Sequence, residues 1–183
     1  MKMRLGVLFL SSLVSATLAV AAGSGSAPAV KACAIGKPTP ASYKWDFKGE
    51  ANAIFKHVQA DAVQAKYHAD RLQSFKMDPN LTRTPYASQL RQLKSEVNDM
   101  GSRLCRLETI RRVVAPWQQR MIDQIATSTR LMADNVQDAI TLCNEGPGGY
   151  KFPTYSHYTH NVYDESTALM RALDSARKTA GVS

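Results

Sequence analysis

The sequence predicts an all-α protein: an up-down-up-down four-helix bundle preceded by a signal peptide and an extended leader. Two observations carry that expectation. Apolar residues recur at alternating spacings of four and three over long stretches, the pattern of a helix-bundle seam. Pro and Gly gather between those stretches, where turns are needed. No stretch keeps the every-second-residue alternation of a half-buried strand, and no repeat recurs at a solenoid period.

Residues 1–21 read as a signal peptide. Lys2 and Arg4 precede an apolar run from Leu5 to Leu18, and Ala19-Val20-Ala21 fits the small-x-small cleavage rule. A membrane anchor is the alternative. The run is shorter than the roughly 20 residues a spanning helix needs, and Ser11, Ser12 and Ser15 dilute it. Cys33 follows Lys31-Ala32, which is not a lipobox. Cleavage after Ala21 leaves 162 residues with no second apolar span, so the expected product is exported, periplasmic or secreted. Residues 22–47 form the leader, marked by Pro28, Pro38 and Pro40, with Trp45 and Phe47 anchoring its end.

Residues 48–183 form the bundle domain. The first helix is expected from Lys48 to Met77, with Ala51, Phe55, Val58, Ala62, Ala65, Ala69 and Leu72 as its seam. Asp78-Pro79-Asn80 ends it. Thr84-Pro85 is expected to open the second helix as N-cap and first helical residue. Its seam runs from Tyr86 through Leu90, Leu93, Val97, Met100 and Leu104 to Leu107, and Arg111 breaks it. Pro116 either starts a third helix or kinks one continuous helix. The continuous form would reach about 90 Å, too long for one compact domain, so a turn near Val113 to Ala115 is preferred. The third helix then runs to about Cys143, with Ile122, Ile125, Met132, Val136, Ala139 and Ile140 inward, and stops at the Gly-Pro-Gly-Gly segment. A fourth spans Pro153 to about Ala180, with Tyr155, Tyr158, Val162, Leu169, Leu173 and Ala176 inward.

Composition bounds the function. Hydrophobic residues make up 44% and charged residues 21%, as in globular proteins. Three Cys are too few for a disulfide scaffold. The net charge is +8, and losing Lys2 and Arg4 with the signal leaves +6. Arg91, Lys94, Arg103, Arg106, Arg111 and Arg112 make the second helix basic, interrupted by Glu96, Asp99 and Glu108. The spacing predicts a solvated face with pairs such as Glu108–Arg112. After export, nucleic acid is not an expected partner. Its expected partner is an unknown envelope protein or an anionic polymer of the envelope.

The sequence holds no C-x-x-C-H, Glu-x-x-His, H-E-x-x-H, Walker A, G-x-S-x-G or G-x-G-x-x-G. Asp134 and Asp138 share a helix face, with nothing to make them catalytic. The expected protein is therefore non-enzymatic, with no catalytic residue and no cofactor. The alternative is a small Cu or Zn binder. His157 and His160 lie at i, i+3 at the start of the fourth helix, and the bundle order places His68 and Cys143 at the same pole. His57 is expected in solvent. Tyr150, Phe152, Tyr155, Tyr158 and Tyr163 crowd this pole, either as packing or as an aromatic recognition patch. The leader enters at the opposite pole, so Cys33–Cys105 is the one reachable disulfide. Cys105 and Cys143 are too far apart to bond.

Pro116-Trp117-Gln118-Gln119, Ile122-Asp123 and Met132-Ala133-Asp134-Asn135, with Pro153 and Tyr155 through Tyr163, carry a resemblance. Residues 46–180 are similar to a family of secreted bacterial helical-bundle proteins with no assigned activity. In that family a Ser often precedes the Pro-Trp-Gln as an N-cap. Here the position is Ala115. By architecture alone the chain is also similar to the periplasmic four-helix cytochromes, a likeness of fold and not of site.

Overall fold

The computed structural model describes residues 45–78, 80–146 and 148–181. The signal peptide expected over residues 1–21, most of the leader expected over 22–47, and Cys33 lie outside the described residues. Four long helices make up the rest: α1 (Phe47–Ser74), α2 (Arg83–Ile110), α3 (Pro116–Asn144) and α4 (Pro153–Thr179). Single 3₁₀ turns extend α1 to Met77, extend α2 to Val113, and precede α4 at Gly149–Lys151. Helices adjacent in sequence pack side by side and α4 closes on α1, so the chain runs up, down, up, down. No described helix is long and apolar enough to cross a membrane.

In α1 and α2 the seams are the ones the spacing predicts, and in α3 and α4 they are so in part. In α1 every expected position from Ala51 to Leu72 is buried, and four alanines there leave room for close neighbours. In α2 all are buried except Leu104, which packs half-buried against the core. The α4 seam is 155, 159, 162, 166, 169 and 173, an unbroken 4/3 alternation that includes Thr159 and Ser166. Both are fully buried with their hydroxyls satisfied: Thr159 donates to the Ser156 carbonyl of its own helix at 3.1 Å and Ser166 to Met132 Sδ of α3 at 3.2 Å. Ile140, Tyr158 and Ala176, all expected inward, are only half-buried.

The helix starts show how the backbone ends are satisfied. Asp46 caps α1 by accepting from Gly49 N–H at 2.9 Å. Helix α2 begins one residue before the expected Thr84 cap, with Thr82 at the cap position making no side-chain bond. Pro85 is thus the third helical residue, still inside the first turn where its missing N–H breaks no helical bond. At α3 Pro116 starts a new helix, and the missing Ser cap is replaced from below. Gln118 Oε1 accepts the Ala115 N–H at 2.9 Å, while its Nε2 donates to the Lys48 carbonyl at 2.9 Å and to Asn52 Oδ1 at 2.8 Å. One buried amide therefore caps α3 and ties it to the first turns of α1. Between α3 and α4, a Cβ at Gly149 would sit 1.7 Å from the Leu142 carbonyl, so the chain can pass there only as glycine.

Candidate functional site

The basic residues of α2 divide by position. Toward its C-terminal end each arginine except Arg112 meets a carboxylate. Arg103 pairs with Asp61 of α1 at 2.5 Å, and Arg106 with Glu50 of α1 at 2.6 Å. Arg111 holds Asp123 of α3 at 2.5 Å and Glu108 at 3.4 Å. The expected Glu108–Arg112 pair does not form: the helix tightens into a 3₁₀ turn at Arg111, and that turn brings Arg111 rather than Arg112 over Glu108. Arg106, with Trp45 Nε1 donating at 2.6 Å, holds Glu50 below its ordinary carboxylate range against the opposing effect of burial. Glu96 shifts the other way, raised by burial and by the negative charges of Asp61 and Asp99.

Toward the N-terminal end the cations have no such partners. Arg91 and Lys94 make no hydrogen bond or ion pair among the described residues. Arg83 donates only to the neutral Asn144 side chain of α3. The three line a groove of about 490 Å³ between the start of α2 and the end of α3. Its floor is Ala87, Leu90, Ile140 and Cys143. Beyond Arg83 a second hollow of about 520 Å³ continues past Leu81 to Tyr150 and Lys151. No aspartate or glutamate is among the described residues lining either.

The residues expected to share a metal are not gathered. His68 is buried and turned toward α2, its Nδ1 2.8 Å from Gln89 Oε1. His157 is exposed, with its Nε2 3.4 Å from Asn161, which itself bonds Asn135 of α3. His160 is exposed, stacked on Tyr163 and 3.3 Å from Asp164. Cys143 is a buried free thiol under the α2–α3 groove. Among the described residues no three or more of His, Cys, Asp and Glu come together as a metal group. The physical reason is rotational. A common pole fixes height along the bundle, whereas His68, Cys143 and the two α4 histidines leave their helices on different sides.

Cys105 is disulfide-bonded and Cys143 is not, so the two do not pair. Cys33, the partner expected for Cys105, lies outside the described residues. At the opposite pole the aromatics divide. Tyr86, Tyr150 and Tyr155 are buried and pack ring to ring, with Tyr86–Tyr150 centroids 4.5 Å apart. Burial pushes the Tyr155 hydroxyl far above its ordinary range. Phe152 is exposed and lies apart from this stack. The cluster is mainly packing over the bundle end.

Sequence reasoning missed the split of the α2 cations, the Asp61–Arg103 pair and the Gln118 tie. A signal existed for the pair: Asp61 flanks the α1 seam residue Ala62, where an acid must face a neighbouring helix. Comparison with known proteins finds no matching family model, no matching curated protein and no matching solved structure.

Proposed function

We propose that the protein is an exported, non-enzymatic helical bundle that binds an anionic macromolecule in the cell envelope. One observation supports this most: Arg83, Arg91 and Lys94 stand along one groove with no carboxylate partner among the described residues, on a chain whose net charge of +8 falls only to +6 when Lys2 and Arg4 are removed with residues 1–21. Unpaired cations set close together raise local potential and attract polyanions, whereas paired ones largely cancel. The export signal read over residues 1–21 supports the compartment, and the resemblance to secreted bacterial bundles agrees with it.

The test is retention of purified residues 22–183 on isolated cell envelopes over a salt series. The expected result is binding at low salt that weakens steadily as salt rises through the physiological range, because screening shortens the reach of exposed charges. Absence of retention at low salt, or retention indifferent to salt, would refute an electrostatic binding role.

A further inference from the structure

We infer that the α2–α3 groove is a binding site for a linear phosphodiester-type polymer, one whose phosphates alternate with short neutral carbon linkers. The inference rests on the envelope-binding reading and names its site and ligand class. The groove alternates in the same way. Arg83 stands at one end, and Arg91 with Lys94 about 12 to 16 Å further along the helix axis. Between them lie Ala87 and Leu90, with Ile140 and Cys143 opposite. A chain laid along this wall puts phosphates on the cations and linkers on the apolar floor. Two of the three cations are arginines, whose planar fork can grip two phosphate oxygens at once.

The shape suits a chain rather than a compact ion. The groove runs along α2 from Arg83 to Lys94, and Arg83 also borders the second hollow beyond it. Its guanidinium is already steadied by Asn144, which lowers the ordering cost of binding. The groove is least consistent with an acidic peptide. A peptide brings an amide in every repeat, and among the described residues the only neutral polar side chains lining the α2–α3 groove are Thr84 and Asn144. Amides left over Ala87 and Ile140 would lose water without gaining partners.

The experiment uses purified residues 22–183 with synthetic poly(glycerol phosphate), whose phosphates are joined by short carbon linkers, as the probe, followed by titration calorimetry at two salt concentrations. Poly-glutamate serves as the peptide-like competitor. The triple variant Arg83→Gln/Arg91→Gln/Lys94→Gln is compared with Arg112→Gln/Arg120→Gln/Arg130→Gln, which removes the same charge elsewhere. Ala87→Phe fills the groove with no change of charge. The groove triple should weaken poly(glycerol phosphate) binding about tenfold or more and flatten its salt dependence, while the control triple changes it about twofold or less. Ala87→Phe should also weaken binding, and circular dichroism should show every variant fully helical.

Equal losses in both triples would overturn the groove while leaving general electrostatic binding intact. Tighter binding of poly-glutamate than of poly(glycerol phosphate) would overturn the ligand class. Failure of the unaltered protein to bind either polymer, despite salt-sensitive retention on envelopes, would overturn the polyanion site but not the envelope role.

Discussion

The two halves of α2 share one seam and one charge sign, yet they do different things. Toward the C-terminus, Arg103, Arg106 and Arg111 reach Asp61, Glu50 and Asp123, so that half ties α1 and α3 together. The disulfide at Cys105 lies in the same half. Toward the N-terminus, Arg83, Arg91 and Lys94 tie nothing to a carboxylate and border a groove. A basic helix is therefore not one feature. Only where its neighbours supply no acid does positive charge remain available to a partner.

The largest effect expected on the C-terminal half comes from its disulfide. Cys105→Ser should lower stability by about 2–5 kcal/mol in non-reducing denaturant unfolding, since a cross-link limits the unfolded chain. Non-reducing peptide mapping should join Cys105 to Cys33. Finding Cys143 in the bond would break both the pairing and the bundle order.

The seam itself should not distinguish the halves. Leu93 and Leu107 are both fully buried. Truncating either to Ala should cost about 2–5 kcal/mol, through lost transfer free energy and the cavity left behind. A variant at one position that costs nothing would show that its half of the bundle is not packed as described.

The charges should separate the halves sharply. Asp61 is 7% exposed, and its loss leaves Arg103 half-buried without a partner. Asp61→Asn should destabilise by about 2 kcal/mol, below the full cost of breaking a buried pair because Arg103 keeps some solvent. Arg91→Gln should stay within about 0.5 kcal/mol, as surface substitutions away from specific contacts do. Chemical denaturation measures both. Equal losses would erase the distinction between anchoring and free cations.

The sequence made the helices legible because 4/3 spacing survives on every seam, and helix ends need only local residues such as Asp46, Pro116 and Gly149. It made the α2 cations visible but not their partners. Which arginine meets which acid depends on the rotation of each helix about its own axis. Asp61 and Arg103 are 42 residues apart in sequence and meet only once that rotation is fixed. The histidines failed as a group for the same reason. Gln118 was overlooked because a buried glutamine looks like any surface glutamine until its three hydrogen-bond partners converge on it.

The smallest effects concern two carboxylates beside this division, and they should respond to pH in opposite directions. Glu50 in the fold lies below its unfolded value, held chiefly by the Arg106 hydrogen bond. Its contribution is therefore complete above the unfolded pKa of about 4.3 and is lost as pH falls through the lower folded value. Glu96 lies above its unfolded value, chiefly through burial. Its contribution is complete below about 4.3 and is lost as pH rises through the folded value. Glu50→Gln should thus cost up to about 1 kcal/mol near neutral pH, limited by the half-exposed Arg106, and should flatten the loss of stability on acidification. Glu96→Gln should leave neutral-pH stability equal or slightly higher, because the neutral amide avoids the cost of an ionised carboxylate beside Asp61. Denaturation of both variants from pH 3 to pH 8 reads the two slopes. If Glu96→Gln destabilises at neutral pH as much as Glu50→Gln does, Glu96 is a working partner of Arg103, and the anchoring network extends further up α2 than Arg103 and Asp61 alone.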